Sequence, residues 1–119
     1  MNKYDIHDRI FVFVVQVIKL LNELSKTPVN LIIINQAVRS VTSMGANDQE
    51  ADGSLTSKDF IHCLTIVRKE GKETVFWLKL VAELNQQKEE AKNLIEEGME
   101  IVAIISTIIK RTSITKFNK

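Results

Sequence analysis

Residues 48–59, DQEADGSLTSKD, place oxygen-bearing side chains at the spacing of a calcium loop. Against the pattern D-x-[DN]-x-[DN]-G-x5-E, Asp48 takes position 1, Glu50 position 3, Asp52 position 5, Gly53 position 6 and Asp59 position 12. Calcium takes six to eight oxygens, usually including a bidentate Glu at position 12. Asp59 is one methylene short of that ligand, and Glu50 stands where Asp or Asn is usual. The same residues also make a plain helix-to-helix corner. Gly53 suits a helix end, and Thr56 with Asp59 resembles a capping box with Asp in place of Glu or Gln.

Other chemistry is sparse. His7 and His62 are the two histidines and Cys63 the one cysteine, with no CxxC or HExxH spacing to make a zinc site. GANDQEADG lacks the lysine and the preceding strand of a phosphate loop. Glu70 and Glu73 alternate with Arg68, Lys69 and Lys72. That interleaving predicts a salt-bridged, neutral, solvated face rather than a phosphate track. No nucleophile–base pairing follows from spacing, so no catalytic residue, no cofactor and no enzymatic activity are expected.

The chain has 119 residues, which sets one domain spanning 1–119 as the expectation. Its 45% hydrophobic and 26% charged residues are ordinary for a globular protein. Sixteen basic and fifteen acidic residues give a net charge of +1, without the basic excess of a dedicated phosphate binder. A single cysteine excludes an intrachain disulfide and fits a reducing compartment. MNKYDIHDR is too polar for a secretory signal. The apolar runs at 10–15 and 101–105 fall far short of the ~18 residues of a membrane span. These features predict a soluble cytoplasmic protein.

One proline, Pro28, and four glycines favour long helices. Ile6, Ile10, Val14, Val17, Leu21 and Leu24 recur at three- and four-residue steps, predicting a helix over 5–24. Its centre, IFVFVVQVI, is apolar nearly all round. The β-branched content keeps a strand conceivable, but the length favours a helix buried on more than one side, with a subunit interface on the second. Thr27 and Pro28 predict the start of a helix over 29–49, with Ile33, Ala37, Val41 and Met44 inward and a bend near Gly45. A third helix is expected from Ser57. Phe60, Leu64, Val67, Gly71, Val75 and Leu78 form one stripe, and Cys63, Ile66, Trp77, Leu80 and Leu84 a second. Gly71 within a stripe predicts a close helix crossing. A fourth helix after NQQK runs to about Thr112, with Leu94 or Ile95, Met99, Val102, Ile105 and Ile109 inward. Its early Glu89, Glu90, Glu96 and Glu97 and late Lys110, Arg111 and Lys116 suit the helix dipole. The sum is an all-α, antiparallel up-down-up-down four-helix bundle.

RSVTSMGANDQEA at 39–51 and SKDFIHCLTIVRKEGKETVFWLKLV at 57–81 resemble the small bacterial four helix bundle protein family, also called the 23S rRNA intervening-sequence protein family. Ser43, Gly45, Ala46, Asn47, Glu50 and Ala51 match its S-x-G-A-N-x-x-E-A stretch. Ser57, Lys58, Asp59, Phe60, Ile61, Leu64 and Ile66 match a second stretch, and Lys69, Glu70, Glu73, Thr74, Trp77 and Leu78 a third. Gly71 replaces a usual alanine and Cys63 a common lysine. The resemblance implies an antiparallel four-helix bundle assembled as a homopentamer. The family name comes from reading frames inside intervening sequences of 23S ribosomal RNA genes, and the role expected of this chain is binding or scaffolding, with RNA or a protein as partner and no membrane. The family is similar in turn to the accessory protein of diversity-generating retroelements, a basic pentameric bundle; this chain departs from it in being nearly neutral. The resemblance accounts for Asn47, Glu50, Ser57, Asp59 and Phe60 but not for Asp48, Asp52 and Gly53. The binding residues expected at the corner of the second and third helices are Arg39, Ser43, Asn47, Glu50 and Lys69. The competing reading of these five is polar packing at a subunit interface. The alternative function is a calcium module through Asp48, Glu50, Asp52 and Asp59.

Overall fold

The computed structural model describes residues 5–117, with side chains to residue 114, so Lys116 lies outside the described side chains. Four helices follow one another: α1 (Ile6–Glu23), α2 (Pro28–Asp52), α3 (Ser57–Leu84) and α4 (Lys88–Phe117). Three of their starts are capped by side chains. Asp5 accepts from the Asp8 N–H at 2.9 Å, Thr27 from Asn30 at 3.1 Å and Thr56 from Asp59 at 3.1 Å. Each of these bonds satisfies an N–H that the first helical turn leaves without a partner. The links of three or four residues between helices return the chain at once, so sequential helices are antiparallel neighbours. α3 packs most extensively, between α2 and α4, and α1 closes the ring against α2 and α4.

Phe13, Ile10, Leu21, Met44, Leu64, Leu78, Ile101 and Ile105 fill the centre. Burying each such side chain is worth roughly 1.5–3 kcal/mol. Glycines sit where helices approach most closely. A Cβ on Gly45 would lie 3.1 Å from Val14 of α1. One on Gly71 would lie 3.0 Å from Val102 and 3.2 Å from Met44, which bears out the close crossing expected there. One on Gly98 would lie 2.8 Å from Val75 and 3.0 Å from Phe13.

The structure corrects several sequence expectations. α2 continues past the expected end at Gln49 to Asp52. Tertiary partners supply the reason: Ala51 and Asp48 are buried on its last turn. Gly53 ends it at φ −93°, without the left-handed turn that glycine permits. Met99, expected inward, is 55% exposed. Gly98 holds the inner position instead, because α1 and α3 come too close there for a larger side chain. Leu84 also points out. No helix among the described residues is long and apolar enough to cross a membrane.

Candidate functional site

The seam between α2 and α3 is polar through its middle. The Ser40 and Thr74 hydroxyls lie 2.7 Å apart and share a hydrogen bond, with the Ala37 carbonyl 3.1 Å from Ser40 and the Glu70 carbonyl 2.8 Å from Thr74 as their other acceptors. Both residues are fully buried. Just outside them Arg39 reaches across from α2. Its Nη1 lies 3.3 Å from Glu70, which is buried, and its Nη2 meets Glu73. The Trp77 indole N–H donates to the same Glu73 oxygen at 3.1 Å. That bond, with the Arg39 guanidinium and the charge of Lys69, holds the Glu73 carboxyl below its ordinary range against the opposing effect of partial burial.

Arg39, Ser43, Asn47 and Glu50 recur every three or four residues and so share one face of α2. They form a stripe about 16 Å long rather than one pocket. Arg39 is engaged as described. Asn47 donates back to the Ser43 carbonyl at 2.9 Å and to its hydroxyl at 3.3 Å, so these two satisfy each other. Glu50 is exposed at the far end, beside an open hollow of about 400 Å³ shared with Asp59, His62 and Cys63. Lys69 is exposed on α3 and joins the stripe only through its charge on Glu73.

Residues 48–52 are helical, where a calcium loop needs a turn that wraps its ion. On a helix Asp48 and Asp52 share a face while Glu50 points away. Asp59 lies on the first turn of α3. Asp48 is fully buried and faces His7 of α1, whose Nδ1 stands 2.9 and 3.1 Å from its two oxygens. His7 Nε2 lies 3.2 Å from Asp52. Among the described residues no three His, Cys, Asp or Glu side chains are arranged to hold a metal ion. With both ring nitrogens facing carboxylates, the imidazolium is the form that fits. Burial opposes that charge, but the bond to Asp48 and the charges of Asp48, Asp52 and Asp5 outweigh it and raise His7 above 6.5. Burial likewise raises Asp48 against the attraction of His7. The pair lies 41 residues apart in sequence, and no local pattern could have joined it.

The family model for the 23S rRNA-intervening sequence protein matches residues 2–107. The chain belongs to the 23S rRNA-intervening sequence protein family. A solved structure of similar fold is that of a protein of unknown function from the S23 ribosomal protein family of Bacteroides thetaiotaomicron. It is 31% identical at a TM-score of 0.79, over 88% of this chain and 95% of that one. None of the curated proteins matches. In this member of the family, the stretches that carry the resemblance form the α2–α3 seam. Gly45 admits α1, Gly71 admits α4, and the pairs Ser40–Thr74 and Arg39–Glu70 cross between α2 and α3. This seam ties helices together, and its outer edge leaves Arg39 about half exposed for a further contact.

Two further clusters escaped sequence reasoning. Arg9 of α1 bonds Glu97 at 2.7 Å and Glu100 at 3.0 Å on α4. Asn30 and Asn85 exchange amide bonds at 2.8 and 3.3 Å where α2 begins and α3 ends, beside an open hollow of about 640 Å³. The Asn30 amide also donates to the Ser25 carbonyl at 2.8 Å, so this buried residue is held by the loop. Only the polar character of Asn30 and Asn85 at helix ends hinted at their pairing.

Proposed function

We propose that the chain works as a non-enzymatic binding or scaffolding bundle assembled from several copies of itself, with RNA or a protein as its partner. The observation that carries this reading is the outer side of the α1–α2 seam. No charged residue occurs in 10–18 or in 28–38. From these stretches Phe11 and Leu31 stand 64% and 46% exposed, with Val14, Val15, Ile18, Ile34 and Val38 half-buried beside them. Phe11 and Val14 edge an apolar hollow of about 280 Å³ with Thr42, Gly45 and Ala46. A continuous apolar strip of this kind marks a surface that another chain covers. A pentamer is the assembly that the family resemblance implies, and a closed ring of that kind needs such a face on every copy. The charged clusters support a structural role, since His7–Asp48, Arg9–Glu97 and Arg39–Glu70 each spend their charges joining two helices. The names 23S rRNA-intervening sequence and S23 ribosomal protein point the search for a partner to RNA first.

Sedimentation equilibrium is the direct test. The wild-type chain should sediment as a multiple of 13.5 kDa. Phe11→Asp with Val15→Asp should shift it to the single-chain mass with its helix content unchanged. A wild-type monomer at all concentrations would sink the reading.

A further inference from the structure

On the side of α3 away from the Arg39 cluster, the α3–α4 groove has an apolar floor and a cationic rim. Val75, Met99, Val102 and Ala103 line an open hollow of about 340 Å³, edged by Lys72 and Lys79. Gly71 faces Val102 and Gly98 faces Val75, which fixes the antiparallel register. Lys79 therefore lies level with Leu94, Lys72 with Ile101 and Arg68 with Ile105. On that register Lys92, Lys79, Lys72, Arg68 and Lys110 succeed one another along roughly 27 Å of groove. Arg68, Lys72 and Lys79 share a face with Phe76, which is 51% exposed between the two lysines. Lys92 and Lys110 share the Met99 face of α4, since residues seven and eleven apart nearly superpose.

None of these five cations has an ion-pair partner among the described residues. The carboxylates near them in sequence, Glu70 and Glu73, are turned to Arg39 on the opposite side of α3. Glu83 lies at the Lys79–Lys92 end of the groove and Glu96 level with Trp77, between Lys72 and Lys79, which leaves Lys72, Arg68 and Lys110 a carboxylate-free run beyond it. A row of like charges repels itself until an anion of matching length neutralises it. The row is several times longer than the apolar floor. An acidic amphipathic helix would need a floor as long as its charges, whereas a phosphate backbone needs only the charges. A cationic groove with an exposed aromatic is the arrangement that holds unpaired bases by stacking.

We propose that the α3–α4 groove binds single-stranded nucleic acid, with phosphates along the Lys92–Lys110 track and a base against Phe76. This deepens the binding role proposed above and rests on it. The test is fluorescence anisotropy of the full chain with labelled oligouridine and oligothymidine of about fifteen nucleotides, at about 50 to about 200 mM salt. Binding to both is expected, with affinity falling steeply with salt, at about 0.7 log units per log unit for each phosphate engaged. Lys72→Ala with Lys79→Ala should flatten that slope by about 1.4. Phe76→Ala should weaken binding about fivefold or more with the slope unchanged. Lys19→Ala with Lys58→Ala, exposed elsewhere, should change neither. Loss on that control pair instead, binding confined to duplexes, or equally tight binding of labelled poly-glutamate would overturn the proposal. Sedimentation of the same samples separates the two claims. An assembly that binds no oligonucleotide overturns the groove and leaves the scaffold; a monomer that binds overturns self-assembly and keeps the groove.

Discussion

The two sides of α3 carry similar residues and treat them in opposite ways. Toward α2, Glu70, Glu73 and Trp77 close around Arg39, and Thr74 meets Ser40, so polar groups hold that seam. Toward α4, Gly71 and Val75 pack against Val102 and Gly98 at van der Waals limits, and the cations stand outside with no ion-pair partner among the described residues. In the sequence RKEGKE at 68–73 the signs alternate. Each helical step turns about 100°, so that alternation becomes a sorting, with carboxylates on one flank and Arg68 and Lys72 on the other. A run that looks neutral in sequence is thus strongly polarised around the helix, and the expected neutral face gives way to two unlike ones.

Four measurements test the contrast between the two seams. The largest effect is expected on the close-packed side. Gly98→Ala puts a methyl group 2.8 Å from Val75, and overpacking of this kind costs about 1–3 kcal/mol, read by thermal or urea unfolding. On the polar side, Thr74→Val lets Ser40 give its proton to the Ala37 carbonyl 3.1 Å away, so about 0.5–1.5 kcal/mol should be lost. If Thr74→Val proves the costlier, the contrast between a packed seam and a bonded seam is wrong.

The α1–α2 ion pair gives a third, smaller effect with a defined sign. His7 is raised in the folded chain, so its contribution is fully present below pH 6.5 and is lost as pH rises through its folded value. Asp48, raised by burial, adds a cost in the same direction once it ionises. Urea midpoints should therefore fall from pH 6 toward pH 8, and His7→Ala should flatten that fall. A midpoint that rises over this range in the wild type would remove His7 from the account. Last, Lys72→Ala with Lys79→Ala should change unfolding free energy by less than about 0.5 kcal/mol, because those cations have no ion-pair partner among the described residues. A larger loss would mean that the rim is structural, against the contrast with Arg39.

Much of the fold was legible in the sequence. The caps at Thr27 and Thr56, the inward set Ile33, Ala37, Val41 and Met44, and the close crossing at Gly71 all appear as expected. These depend on local geometry and periodicity, which residues within a few positions determine. The site was legible only in part. Arg39 stands out in the sequence, but proximity alone pairs Glu70 and Glu73 with Arg68, Lys69 and Lys72, whereas the fold pairs them with Arg39. The spacing of Met99 fits the inward stripe, but crowding from Phe13 and Val75 gives that position to Gly98.

DQEADGSLTSKD shows where the division falls. Sequence alone determined that a helix ends near Gly53 and another begins at Thr56, because capping is a matter of adjacent donors and acceptors. It could equally be aligned to a calcium loop, because spacing does not specify where side chains point. Only the tertiary structure decided that Asp48 turns inward to His7, and that the charges of 68–73 divide between two seams. Those outcomes depend on which helix lies on each side, and packing across distant segments sets that.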